Sequence, residues 1–176
     1  MEIYKETIKK KIMFNKDSDY YFITYNSLLI LDKLNCYENE SNFYDYRKLI
    51  YILPFISNDY LLKIAVEGKK LNEEHIKLLE DVYINAKLRE SILKSILFTL
   101  DKKGYLILKK NIPRNCIDVQ LIKQKLPKDF LDSDLFHIED KNIDLFKKQY
   151  KRLAFIKFEN LIVKLFKEKG VIIWDA

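Results

Sequence analysis

One stretch constrains this chain more than any other: Leu88–Lys110, LRESILKSILFTLDKKGYLILKK. Leu88, Ile92, Ser95, Ile96, Thr99 and Leu100 wind round a helix, and Leu93, Leu97 and Phe98 widen its apolar side. Lys102 and Lys103 sit where cations favour a helix C-terminus, and Gly104 can take the left-handed cap. YLILKK then reads as a short strand. A helix turning at a glycine into a strand is the outline of a winged helix, and equally of an inert packing unit. In a winged helix, polar side chains enter the major groove while the wing meets phosphate. Polar positions are few here: Arg89, Glu90, Ser91, Lys94, Ser95 and Thr99. The balance favours a helix buried on two sides, as core or subunit contact, over a DNA reader.

The rest of the chain is mostly helical in pattern. FITYNSLLILDKLN places Ile23, Leu28, Leu31 and Leu34 near helical spacing. YRKLIYILPFIS is an apolar run in which Pro54 predicts an end or kink near Leu53. NDYLLKIAVEGKK gives a short helix capped by Asn58 or Asp59 and stopped at Gly68, and Asn72 caps the next. In that helix Leu71, Ile76, Leu79, Val82, Tyr83 and Ala86 mark the buried face. Between Pro113 and Pro127, CIDVQLIKQKL fits a helix or a strand. DFLDSDLFHIEDKN reads as an acidic, irregular connection. Ile143–Lys169 is periodic throughout and predicts a helix ended by Gly170, followed by an apolar tail, VIIWDA, open to pairing as a strand and to docking either internally or on a partner.

With 176 residues and only 3 Gly and 3 Pro, long flexible linkers are nearly excluded. The expectation is a basic N-terminal arm or helix over residues 1–19, then a single α-rich domain over 20–176. Its fold class is mainly α: a compact helical domain with a winged-helix-like helix–strand unit and a small β element.

The net charge is +6, from 32 basic and 26 acidic residues, which invites a polyanion. Nearly all the cations are lysine, however; arginine stands only at 47, 89, 114 and 152. Base-reading surfaces lean on the planar fork of arginine, so the excess reads first as a solvated surface. The candidate nucleic-acid contacts are Lys102, Lys103, Lys109, Lys110 and Arg89, with the Lys9–Lys11 run as a secondary possibility.

Cys36 and Cys116 stand far apart without CxxC spacing, which predicts reduced thiols rather than a disulfide or zinc site. Asp132, Asp134, His137, Glu139 and Asp140 are the oxygen-rich group a hard cation would want, and hence the basis of a metal-dependent nuclease reading. They lie in an expected loop, so a solvated acidic turn is favoured. His75 has no nucleophile at recognisable spacing. Gly68, Gly104 and Gly170 are too scattered for a phosphate loop. No catalytic residue, cofactor or metal is therefore expected. MEIYKETIKKKIMF lacks a signal-peptide core and no apolar run approaches a membrane span, so the expected location is cytoplasmic.

Surplus apolar faces point to a partner. YRKLIYILPFI, with Tyr51, Leu53, Pro54 and Phe55, and the tail, with Ile172, Ile173 and Trp174, are the candidate contacts. A resemblance runs the same way. Asn26 in YNSLLIL (Ser27 standing where a proline commonly follows), the LP step in YILPF, and the helix feeding a strand in LFTLDKKGYLIL carry it. The closing FENLIVKLFKEKGVIIWDA, with Lys157–Asn160 in place of small residues and tryptophan, completes it. From about Thr24 onward the order of elements resembles the middle components of bacterial three-component ABC systems, the Lamassu-type antiviral operons. That resemblance implies a non-catalytic subunit binding an SMC- or Rad50-like ATPase and an effector, holding the effector in check until foreign DNA is sensed. The alternative is a winged-helix-like transcriptional regulator.

Overall fold

The computed structural model describes residues 20–67, 71–132 and 134–174. The basic arm expected at 1–19 and the stop expected at Gly68 lie outside those residues. The fold is mainly α with one small antiparallel sheet. Helices α1 (Tyr20–Lys33), α2 (Lys48–Ile56), α3 (Asp59–Glu67) and α4 (Glu73–Lys102) come first. The hairpin β1 (Leu106–Asn111) and β2 (Cys116–Leu121) follows, then α5 (His137–Gln149) and α6 (Phe158–Leu165).

Helix α2 is the hub, in contact with α1, α3, α4, α5 and α6. Every residue of α2 except Pro54 is buried. A helix apolar all round has no solvent face to keep, so it sits inside. This corrects the expected partner surface: Tyr51, Leu53 and Phe55 are 1 %, 2 % and 0 % exposed and belong to the core. Pro54 does not end the helix either, which continues to Ile56. Its missing donor costs one bond near the C-terminus, while Phe55 and Ile56 gain full burial beyond it. The chain then bends by 110° into α3, whose first turn is capped by Asn58 Oδ1 accepting from the amides of Tyr60 (3.0 Å) and Leu61 (3.2 Å).

Helix α4 runs 30 residues without interruption, roughly 45 Å at 1.5 Å per residue. Asn72 caps it by accepting from the His75 amide at 2.8 Å. Its second half buries Leu93, Ile96 and Leu97. Burial on two sides does not occur: Leu88 is 71 % and Phe98 40 % exposed. Gly104, at φ 77°, turns the chain into β1.

The segment left open between helix and strand is β2, paired with β1 from Leu106↔Leu121 to Asn111↔Cys116. Tertiary pairing decides it. Phe43 and Val119 exchange both backbone bonds at 2.9 Å, and the Leu121 amide reaches the Cys36 carbonyl at 2.7 Å, so the α1–α2 connection makes two isolated bridges to the outer side of β2.

Two further expectations change. The acidic connection is ordered: residues Asp134–Phe136 form a 3₁₀ turn and His137 opens α5, with Glu139 and Asp140 in its first turn. The helix expected over Ile143–Lys169 is broken between Gln149 and Phe158. Arg152 stands there at φ 60°, a left-handed conformation that helix cannot pass. Gly170 ends the following 3₁₀ turn at φ 92° as expected, but 171–174 is not a strand. Asn26 sits mid-helix in α1 and is fully buried rather than opening it. No single helix among the described residues is long and apolar enough to cross a membrane.

Candidate anion-binding site

The break between α5 and α6 is held by a lysine from the opposite half of the sequence. Lys48, first residue of α2, has no exposed surface. Its Nζ donates to the carbonyl oxygens of Leu153 (2.7 Å), Ala154 (3.0 Å) and Ile156 (2.9 Å), and lies 4.4 Å from the Phe43 ring centroid. These are carbonyls that an uninterrupted helix would have paired with its own amides. Burial pushes the ammonium down to about 7, against the opposing pull of Asp45, Cys36 and Asp118. Three carbonyl acceptors use all three protons of an ammonium, a demand that a neutral amine cannot meet.

Carboxylates brace the same corner. Asp118, 3 % exposed on β2, accepts from the Asp45 amide at 3.1 Å and from Asn111 Nδ2 at 2.8 Å. Asp45 in turn takes Arg47 Nη2 at 2.6 Å, and that guanidinium lies 4.2 Å from the Phe158 centroid. Cys116, beside both aspartates, is pushed up to about 11 by burial first and then by their charge. Cys36 is likewise raised to about 11 by burial, and both thiols are free.

What this framework presents outward is basic and aromatic. Arg114, in the hairpin turn, lies 4.2 Å over the Tyr44 ring and donates to the Phe155 carbonyl at 3.2 Å. Tyr44 and Phe155 meet edge to face at 5.4 Å. Beside them opens a hollow of about 480 Å³ walled by Arg114, Lys151, Arg152, Lys157 and Lys164, with Glu168 the only carboxylate among the described residues that line it. A second hollow, of about 250 Å³, adjoins it and shares Arg114 and Lys157. Three of the chain's four arginines therefore stand in or beside one surface. Arg47 is held by Asp45, and Glu159 borders the second hollow, but Arg114 and Arg152 face the first beside Glu168 alone; guanidinium groups so placed attract phosphate oxygens and can engage them two at a time.

The lysines singled out from sequence are exposed and line neither hollow. Lys102 and Lys103 lie at the end of α4, and Lys109 and Lys110 near the hairpin tip. Successive strand residues point to opposite faces, so the latter two do not share one. Arg89 is half-buried on α4. In the tail, Ile172 is 74 % exposed and Ile173 packs on the core. The Trp174 carbonyl accepts from Tyr83 Oη at 2.7 Å, so the tail docks on α4.

The nuclease candidates do not converge. Asp140 is paired with Lys33 at 3.0 Å, Glu139 is buried, and Asp132 and Asp134 are exposed on the preceding turns. Among the described residues no group of three His, Cys, Asp or Glu is placed to hold a metal. His75 Nε2 lies 2.8 Å from Tyr60 Oη.

Sequence reasoning missed Lys48, Arg114, Arg152 and Lys157 as site residues. The available signal was rarity: in a chain that writes nearly all its cations as lysine, each arginine position carries information.

No family model, no curated protein and no solved structure matches this chain.

Proposed function

We propose that the protein is a non-catalytic, cytoplasmic binding subunit that grips nucleic acid through its phosphates without reading sequence. The observation that carries this reading is the hollow with five basic side chains and one carboxylate, bordered by the Arg114–Tyr44–Phe155 stack. Phosphate contacts give affinity and position, whereas sequence is read from base edges. Phe155, 45 % exposed, offers a face on which an unpaired base can stack, which favours single strands over duplex. In this reading the subunit works beside an SMC-like ATPase and an effector, as the resemblance to Lamassu-type middle components implies, and a weak nucleic-acid grip helps to sense foreign DNA.

The test is binding of fluorescent single-stranded and duplex DNA of random sequence across a salt series. Salt-steep binding that Arg114→Glu with Arg152→Glu abolishes is the expected result. Binding that is unchanged in that double variant would sink the assignment of this surface.

A second reading keeps one observation in its favour. The helix–hairpin outline is present, and Ser91 and Ser95 are exposed on α4 beside Arg89. A regulator would bind one operator at least about a thousandfold more tightly than random duplex. Competition between those two duplexes separates the readings.

A further inference from the structure

Helices α3 and α5 leave between them a groove of about 630 Å³. Leu62 and Val66 of α3 and Ile138 and Leu145 of α5 give it an apolar floor. Ile138 and Leu145 remain 44 % and 42 % exposed, a cost in water that burial under a partner would remove. Helix α5 also turns its aspartates away from the groove. Asp140 and Asp144 reach back to Lys33 Nζ at 3.0 and 3.6 Å, whereas Lys141 and Lys148 line the groove. Ile138, Lys141, Leu145 and Lys148 recur at helical spacing and form one stripe. Asp59, the one carboxylate among the described residues lining the groove, already accepts from Asn142 Nδ2 at 2.7 Å.

We propose that this groove docks an amphipathic helix of a partner protein, with its apolar face on the floor and acidic residues beside Lys141 and Lys148. Helix-in-groove recognition needs this combination of an apolar trough and a charged rim. The chain's own segments fit it poorly. Residues 171–174 are committed to α4 through Tyr83, and the N-terminal segment carries Lys9, Lys10 and Lys11, which a lysine rim repels. Nucleic acid gains nothing from four aliphatic side chains. The groove is a separate site from the arginine-lined hollow, and the proposal stands without it.

The probe is a synthetic helical peptide with leucines along one face and glutamates on both flanks, compared with a version carrying lysines instead. The full-length protein should bind the glutamate peptide at least about tenfold more tightly than the lysine peptide. Amide shift changes should centre on Val66, Lys141 and Leu145. Leu145→Asp should weaken binding by about tenfold or more. Lys141→Glu with Lys148→Glu should reverse the preference between peptides; both positions are exposed, so this pair carries the test if Leu145→Asp misfolds. No binding, equal binding of the two peptides, shifts centred elsewhere, or displacement of the peptide by single-stranded DNA would each overturn the proposal. Arg114→Glu with Arg152→Glu should leave peptide binding intact, so the two sites can fail independently.

Discussion

Lys48 Nζ donates to the Leu153 carbonyl oxygen at 2.7 Å, joining positions 105 residues apart. With its companion bonds to Ala154 and Ile156, this contact fixes the break from which Arg152, Phe155 and Lys157 project. A buried lysine is thus the positioning residue of an exposed basic surface.

Lys48→Met keeps the aliphatic stem and removes the donors. The Ala154 carbonyl retains the Tyr44 amide at 2.9 Å, while the carbonyls of Leu153 and Ile156 lose their bonds to the ammonium. At about 1–3 kcal/mol for each orphaned group, the expected loss is about 2–6 kcal/mol. Urea denaturation measures it. A loss below about 0.5 kcal/mol would show that the break holds itself and that Lys48 is incidental.

The same lysine predicts a pH signature. Burial lowers its folded value to about 7 from the ordinary 10.5, so between those limits the unfolded chain binds more protons than the folded one. The stability of the wild type relative to Lys48→Met should therefore rise with pH across that window. The slope should approach about 1.4 kcal/mol per pH unit, flattening below 7 and above 10.5. Cys36 and Cys116, both raised to about 11, keep their protons through most of the window. A stability difference that does not vary with pH would contradict the burial of the charge.

Much of the fold was legible because local rules governed it. Asn72 caps α4, Gly104 and Gly170 take positive φ, and the helix–glycine–strand succession at 88–110 forms as its residues dictate. The basic site was not legible, for a physical reason. Lys48 sits in an apolar run where a lysine reads as a helix-start cation, and its acceptors lie more than 100 positions away. The left-handed turn at Arg152 carries no glycine to announce it. Strand β2 was ambiguous because its neighbour, Phe43, comes from the α1–α2 connection. The α2 run looked like a partner face because an isolated apolar helix and a core hub have the same composition.

Charge reversal at the hollow should change salt dependence as well as affinity. Each phosphate contact contributes about 0.7 to the slope of log affinity against log salt for single strands. Arg114→Glu with Arg152→Glu should lower that slope by about 1.4 and weaken binding by tenfold or more at about 0.1 M salt. Reversing Lys102, Lys103, Lys109 and Lys110 together should do less, because they line neither hollow. Fluorescence anisotropy titrations at several salt concentrations decide between the two sets. A larger loss from the four lysines would return the contact to the hairpin and the end of α4.

The docked tail gives a last test with a built-in reporter, since Trp174 is the chain's only tryptophan. Its ring meets Tyr83 edge to face at 5.5 Å, and its carbonyl accepts the Tyr83 hydroxyl. Gly170 sets the approach: at φ 92°, an added Cβ would be strained by conformation and would stand 3.3 Å from Ile76 Cδ1. Gly170→Ala should therefore cost about 1–2 kcal/mol and loosen the tail. Tyr83→Phe removes one hydrogen bond and should cost about 1 kcal/mol while keeping the ring contact. Tryptophan anisotropy should fall clearly in Gly170→Ala and less in Tyr83→Phe, with global unfolding measured separately by circular dichroism. Unchanged anisotropy in both variants would mean that Val171, 3 % exposed, and Ile173 hold the tail on α4 by packing alone.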